Sequence, residues 1–77
     1  MSPPVSPWTL TTVKFFDPIK KWGYLRHTGG KDIFLHIATI REAGYTGPLK
    51  ESTLLEVQFI EDAKGLKAIN LRAPDAR

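Results

Sequence analysis

At 77 residues and a net charge of +3, with 25% charged and 10% aromatic side chains, the chain has room for one small domain whose core supplies about 3–5 kcal/mol of net stability. It contains no cysteine, which excludes disulfides and thiolate metal sites and fits a reducing compartment. No apolar run approaches the roughly 20 residues that span a bilayer as a helix, and prolines stand where a secretory signal would be basic and then apolar, so a soluble, cytoplasmic protein is expected.

Residues 1–8 open the chain as a proline-rich tail, three prolines falling in the first seven positions, and an extended or disordered segment is expected there. Trp8 has two readings, as a lid on the end of the core or as an exposed stacking residue. Thr9 to Phe16, TLTTVKFF, is β-branched and aromatic, and Asp17-Pro18 closes it with a turn signal. Strict alternation does not sort Lys14, Phe15 and Phe16 into outer and inner positions. A bulge or strong twist near Phe15 would do so.

The most informative stretch follows, KKWGYLRHTGGKDIFLHI from Lys20 to Ile37. Side chains two apart on a strand share a face, so Trp22 and Tyr24 oppose Gly23 and Leu25. In the same way Phe34 and His36 oppose Ile33, Leu35 and Ile37. Between the two runs, His27 to Lys31 contains Gly29-Gly30, which supplies the positive-φ positions of a hairpin connection. An antiparallel hairpin results, aliphatic on its inner face. Its outer face carries three aromatics and a histidine near Lys20, Lys21 and Lys31, an unusual surface to leave in water unless something stacks on it.

Ala38 to Ala43 is the only segment with helical character, enough for one or two turns. Gly44 to Pro48 is loop by composition. Leu54 to Ile60 is a fourth strand with Leu55, Val57 and Phe59 on one face. After a turn at Ala63-Lys64-Gly65, Leu66 to Leu71 forms a fifth, in which Lys67, Ile69 and Leu71 alternate with Leu66, Ala68 and Asn70. Residues 74–77 are expected to fray, which leaves a domain over 9–73. Five strands with a helical turn after the third predict an all-β chain folded as a small barrel.

Charge is uneven along this chain. Segment 14–31 carries +4, segment 50–62 carries −3, and the residues from Lys64 onward carry +3. Basic charge thus coincides with the aromatic hairpin, as in a nucleic-acid binder; a solvated charged surface is the plainer alternative. Glu51, Glu56, Glu61 and Asp62 predict an exposed acidic edge, either limiting nonspecific association or meeting a partner. His36 could ligate a metal, act as a base or stack, but with His27 the only other histidine and no cysteine, zinc lacks ligands, and stacking is favoured. No phosphate loop, nucleophile elbow or acid–base pair is present, so neither enzyme activity, a cofactor nor a small-molecule substrate is expected.

Lys20-Lys21-Trp22-Gly23-Tyr24-Leu25 resembles a first ribonucleoprotein motif, and Ile33-Phe34-Leu35-His36 resembles the second motif of the cold shock domain family. The first motif precedes the second and lies one hairpin away, the cold shock order and the reverse of that in RNA-recognition-motif domains. Val13 to Asp17, Lys31-Asp32, Ala38 to Ile40, Gly44-Tyr45 and Lys64 to Leu71 match in type and order, so the resemblance runs from Thr11 to Arg72. It implies a five-stranded antiparallel Greek-key barrel, the oligonucleotide-binding fold, acting on single-stranded RNA or DNA, as an RNA chaperone or a regulator of transcription or translation; a monomer is expected. By resemblance, Lys14, Lys20 and Lys64 contact the backbone, Phe15, Trp22, Tyr24, Phe34, His36 and Tyr45 stack, and Asp32 hydrogen-bonds a base. The chain departs from the pattern where Phe15 replaces a tryptophan, Lys21 a glycine and Ile37 an aromatic, and where Ser52-Thr53-Leu54 stands in place of a glycine-bearing loop. Those departures leave open an alternative, a protein-interaction barrel that has lost much of its nucleic-acid affinity.

Overall fold

Nine residues of largely alternating burial, Thr9–Asp17, form β1 in the computed structural model, which describes residues 4–74. After it come β2 (Trp22–Leu25), β3 (Ile33–His36), α1 (Ile37–Ala43), β4 (Leu54–Asp62) and β5 (Gly65–Arg72). The strands close into a barrel in the order β1-β2-β3-β5-β4. Every pairing is antiparallel apart from β3 with β5, which meet in parallel through Ile33–Leu66 and Phe34–Lys67. A parallel pair requires a long crossover, and α1, the following loop and β4 provide it. The expected five-stranded barrel with a helical segment after the third strand is the fold of the chain. Among the described residues no helix is long and apolar enough to cross a membrane.

The interior is aliphatic. Val13, Leu25, Ile33, Leu35, Leu55, Val57, Leu66, Ala68 and Leu71 are buried from the five strands, and Ile40 of α1 closes one end. Two extra residues set which side chains reach it. In the β1–β2 ladder Val13 faces Leu25 while Phe15 faces Tyr24, so Lys14 is the added residue of a bulge. Past it the alternation changes phase: Lys14 and Phe15 are both exposed and Phe16 packs on the core. This is the bulge that the Lys14-Phe15-Phe16 run demanded.

The second bulge differs from the sequence reading. Gln58 pairs with Asn70 but Phe59 with Ala68, leaving Ile69 as the added residue of β5. Leu66, Ala68 and Leu71 therefore point inward and Lys67 outward, instead of Lys67, Ile69 and Leu71 sharing a face. Phe59 packs against the core that holds Leu55 and Val57, as expected, but stays half-buried at its margin and meets the His27 ring edge-on at 5.1 Å.

Backbone geometry explains several residue choices. A Cβ on Gly23 would lie 2.2 Å from the Phe15 carbonyl oxygen and 2.6 Å from Phe16 Cα, so only glycine lets β2 approach the bulged β1. In the hairpin loop only Gly30, at φ 90°, has the left-handed conformation expected of both glycines. Two non-glycine residues also adopt it, Lys21 at φ 69° and Ser52 at φ 70°. Both lie where the resemblance places glycine. The α1 helix ends on Gly44, whose N–H donates to the Arg41 carbonyl at 3.1 Å.

The described part of the tail lies along β4. Ser6 N–H donates to the Phe59 carbonyl at 2.9 Å, and Phe59 N–H donates to Ser6 Oγ at 2.9 Å. Trp8 carries the Arg72 guanidinium 3.9 Å above its ring, an outer-surface packing in place of a lid on the core. Residues 1–3 and 75–77, parts of the expected tail and frayed end, lie outside the described residues.

Candidate nucleic-acid interface

Alternation in β2 turns Gly23 and Leu25 inward and leaves Trp22 and Tyr24 on the outside; in β3 it does the same for Phe34 and His36. The Lys14 bulge rotates Phe15 onto this outer face, where it faces Tyr24 across the ladder, and Tyr24 in turn faces Phe34. The rings form one continuous surface. Phe15 lies 6.1 Å from Trp22 and 5.7 Å from Tyr24, Trp22 lies 5.8 Å from Tyr24 and 6.0 Å from Phe34, and Tyr24 lies 5.7 Å from Phe34. His36 extends the row at 6.3 Å from Phe34. Most contacts are edge or tilted, the arrangement ring quadrupoles favour. With the core filled by aliphatic side chains, these rings shield only one another.

His36 also has a structural task that the sequence reading missed. Its Nδ1 accepts the Ala38 N–H at 3.0 Å, capping α1. That bond ends β3 at His36 and draws Ile37, expected as a strand residue, into the helix.

Cations surround the platform in two states. Lys14 Nζ is 2.8 Å from the Asp32 carboxylate, and Lys31 Nζ is 3.0 Å from Glu61. Lys20, Lys21, Lys64 and Lys67 have no carboxylate within 4.0 Å among the described residues. The Lys20 ammonium stands 5.9 Å from the Trp22 ring centroid, within cation–π reach. Of the residues expected to form an exposed acidic edge, Glu51, Glu61 and Asp62 are exposed and Glu56 is half-buried; Glu51 pairs with Arg26, Glu56 with Arg72 and Glu61 with Lys31.

Beyond β3, Tyr24, Phe34, Lys31, Asp32, Lys64 and Lys67 line an open groove of about 1140 Å³. Lys67 joins this set because it pairs with Phe34 across the parallel seam. The sequence reading passed over it by mis-phasing β5; the apolar-basic-apolar triplet Leu66-Lys67-Ala68 was the available signal. Tyr45 stands apart from the five rings: it packs against the core, its hydroxyl donates to the Pro48 carbonyl at 2.8 Å, and burial pushes its phenol pKa up. Among the described residues no cluster of three or more histidine, aspartate or glutamate side chains could hold a metal ion.

No family model matches the chain. It is 32% identical over 59 residues to the cold shock-like protein CspC of Bacillus cereus, covering 77% of this chain and 89% of that protein. The cold shock protein CspA of Staphylococcus aureus is 33% identical over 60 residues, covering 78% and 89%. The chain belongs to the cold shock protein family. The same identity and coverage relate it to CspA of Staphylococcus epidermidis. Within the family pattern, the departures at Lys21 and Ile37 adjoin each other at the Trp22–His36 end of the platform, where Ile37 N–H donates to the Lys21 carbonyl at 2.9 Å.

Proposed function

We propose that the protein binds single-stranded RNA or DNA without catalysing a reaction on it. Bases stack on Phe15, Trp22, Tyr24, Phe34 and His36, while Lys14, Lys20 and Lys64 neutralise phosphates. The observation that carries this reading is the continuous ring surface on the outside of a barrel whose interior needs none of it. Base stacking on such rings contributes about 1–3 kcal/mol per base and tolerates any sequence. Asp32, which lines the groove, accepts a hydrogen bond from a base edge, while Tyr45, expected to stack, packs against the core away from the five rings. Residues 9–73 are the binding unit, monomeric and cytoplasmic, and its biological work is that of an RNA chaperone or a regulator of transcription or translation.

Tryptophan fluorescence during titration with oligothymidine tests this, with Trp8→Phe assigning the signal to Trp22. Saturable quenching that weakens with salt is expected. Folded protein unresponsive to oligothymidine and to a mixed RNA strand overturns it.

A protein-docking role has one observation in its favour. Leu10 and Leu54 are 58% and 52% exposed on the outer face of β1 and β4, at the end of β1 away from Phe15.

A further inference from the structure

Lys21 occupies a position that ordinary side chains avoid. Its φ of 69° lies in the left-handed region, which costs an L-residue roughly 1–2 kcal/mol. The turn around it is fixed: the Asp17 carboxylate accepts N–H bonds from Ile19 and Lys20 at 2.9 and 3.1 Å, and the Asp17 carbonyl accepts the Lys21 N–H at 2.7 Å. On the other side, the Lys21 carbonyl receives the Ile37 N–H at 2.9 Å. A glycine would satisfy each of these backbone bonds and relieve the strain, so the bonds do not explain the lysine.

Its side chain has no internal task either. Lys21 is exposed and has no carboxylate within 4.0 Å among the described residues. It stands one position beyond the Trp22–His36 pair, beside Lys20. Its neighbour across the ladder, Ile37, offers no aromatic face and packs partly into the core. At this corner the stacking surface therefore stops, and two cations without carboxylate partners begin.

We propose that Lys21 is a phosphate-contacting residue that grips the nucleic-acid backbone where the strand leaves the Trp22 end of the platform. The corner formed by Lys21 and Ile37 holds a phosphate where an aromatic corner would stack a base. Binding there depends on salt and is indifferent to base identity. The inference rests on the single-strand-binding reading above.

The test compares oligothymidine binding by the full chain and by Lys21→Gly, Lys21→Asn and Lys21→Arg across a range of salt. Glycine and asparagine both tolerate the left-handed backbone without carrying charge, so both variants fold, and thermal denaturation of Lys21→Gly shows a midpoint no lower than that of the original chain. Losing one phosphate contact flattens the logarithmic salt slope by about 0.7, so the affinity deficit narrows roughly 2–3-fold between about 50 and about 200 mM salt. The arginine variant keeps the original slope. Unchanged slopes in both neutral variants, with Trp22→Ala losing affinity in the same assay, overturn the role of Lys21 alone. Absence of binding by the unsubstituted, folded chain overturns the underlying reading.

Discussion

The Lys14 ammonium meets the Asp32 carboxylate at 2.8 Å and so ties the bulge of β1 to the residue that precedes β3. Both residues are candidates for nucleic-acid contact, yet in the free protein each occupies the other. A strand that engages Lys14 must compete with that carboxylate. The Asp32→Asn variant removes the competitor, and its salt slope for oligothymidine should steepen by about 0.7 as Lys14 becomes fully available to phosphate. Because the pair is substantially exposed, its loss should change stability by less than about 1 kcal/mol, as read by urea denaturation.

Trp22 and Phe34 lie outside the core, whereas Leu35, between Phe34 and His36, lies in it at 1% exposure. Trp22→Ala and Phe34→Ala should each weaken oligonucleotide binding by about 1–3 kcal/mol and leave the fold intact. Leu35→Ala should cost about 2–5 kcal/mol of stability, enough to unfold so small a domain. Calorimetric binding alongside circular dichroism separates the two outcomes. A stacking ring whose removal unfolds the chain would contradict this division.

His36 serves as both ring and cap, and two substitutions divide these roles. His36→Ala loses both and should destabilise the protein by about 0.5–2 kcal/mol. His36→Asn restores a capping acceptor, so its stability should return towards that of the original chain while its binding stays as weak as that of the alanine variant. Equal stability of the two variants would show that the cap contributes little.

Gly23→Ala drives a methyl group into the Phe15 backbone and should cost about 1–3 kcal/mol. Denaturation midpoints measure it, and a neutral effect would mean that β1 can retreat from β2 without loss.

Ser52 lies at φ 70° between hydrogen bonds that join its loop to β1, its own N–H donating to the Val13 carbonyl at 2.8 Å. Ser52→Gly relieves the left-handed strain and should raise stability by about 1 kcal/mol. Affinity for oligothymidine should stay unchanged, because Ser52 takes no part in the platform.

The hairpin was legible in the sequence because two short runs alternate without interruption, and each carries its aliphatic residues in a single phase. The β1 bulge was legible for the opposite reason: Lys14, Phe15 and Phe16 cannot alternate. No such conflict marks Ile69. The run Leu66 to Leu71 alternates acceptably in either phase, and its added residue is fixed by pairing with β4, a long-range fact. The cap at His36 rests on one hydrogen bond that decides between another strand residue and a first helical one. Ion pairs such as Lys31–Glu61 join segments of opposite charge 30 residues apart, which a linear charge profile shows as separate blocks.

The parallel seam between β3 and β5 rests on two residue pairs, Ile33–Leu66 and Phe34–Lys67, and such short pairing makes it the joint expected to open first. Amide protons along it should exchange before those of the long β4–β5 ladder. Phe34 belongs to the platform and Lys67 to the far bank of the groove, so a strand bridging them would hold the seam shut. Occupancy would then slow exchange most at this joint, since a ligand favours the closed form that binds it.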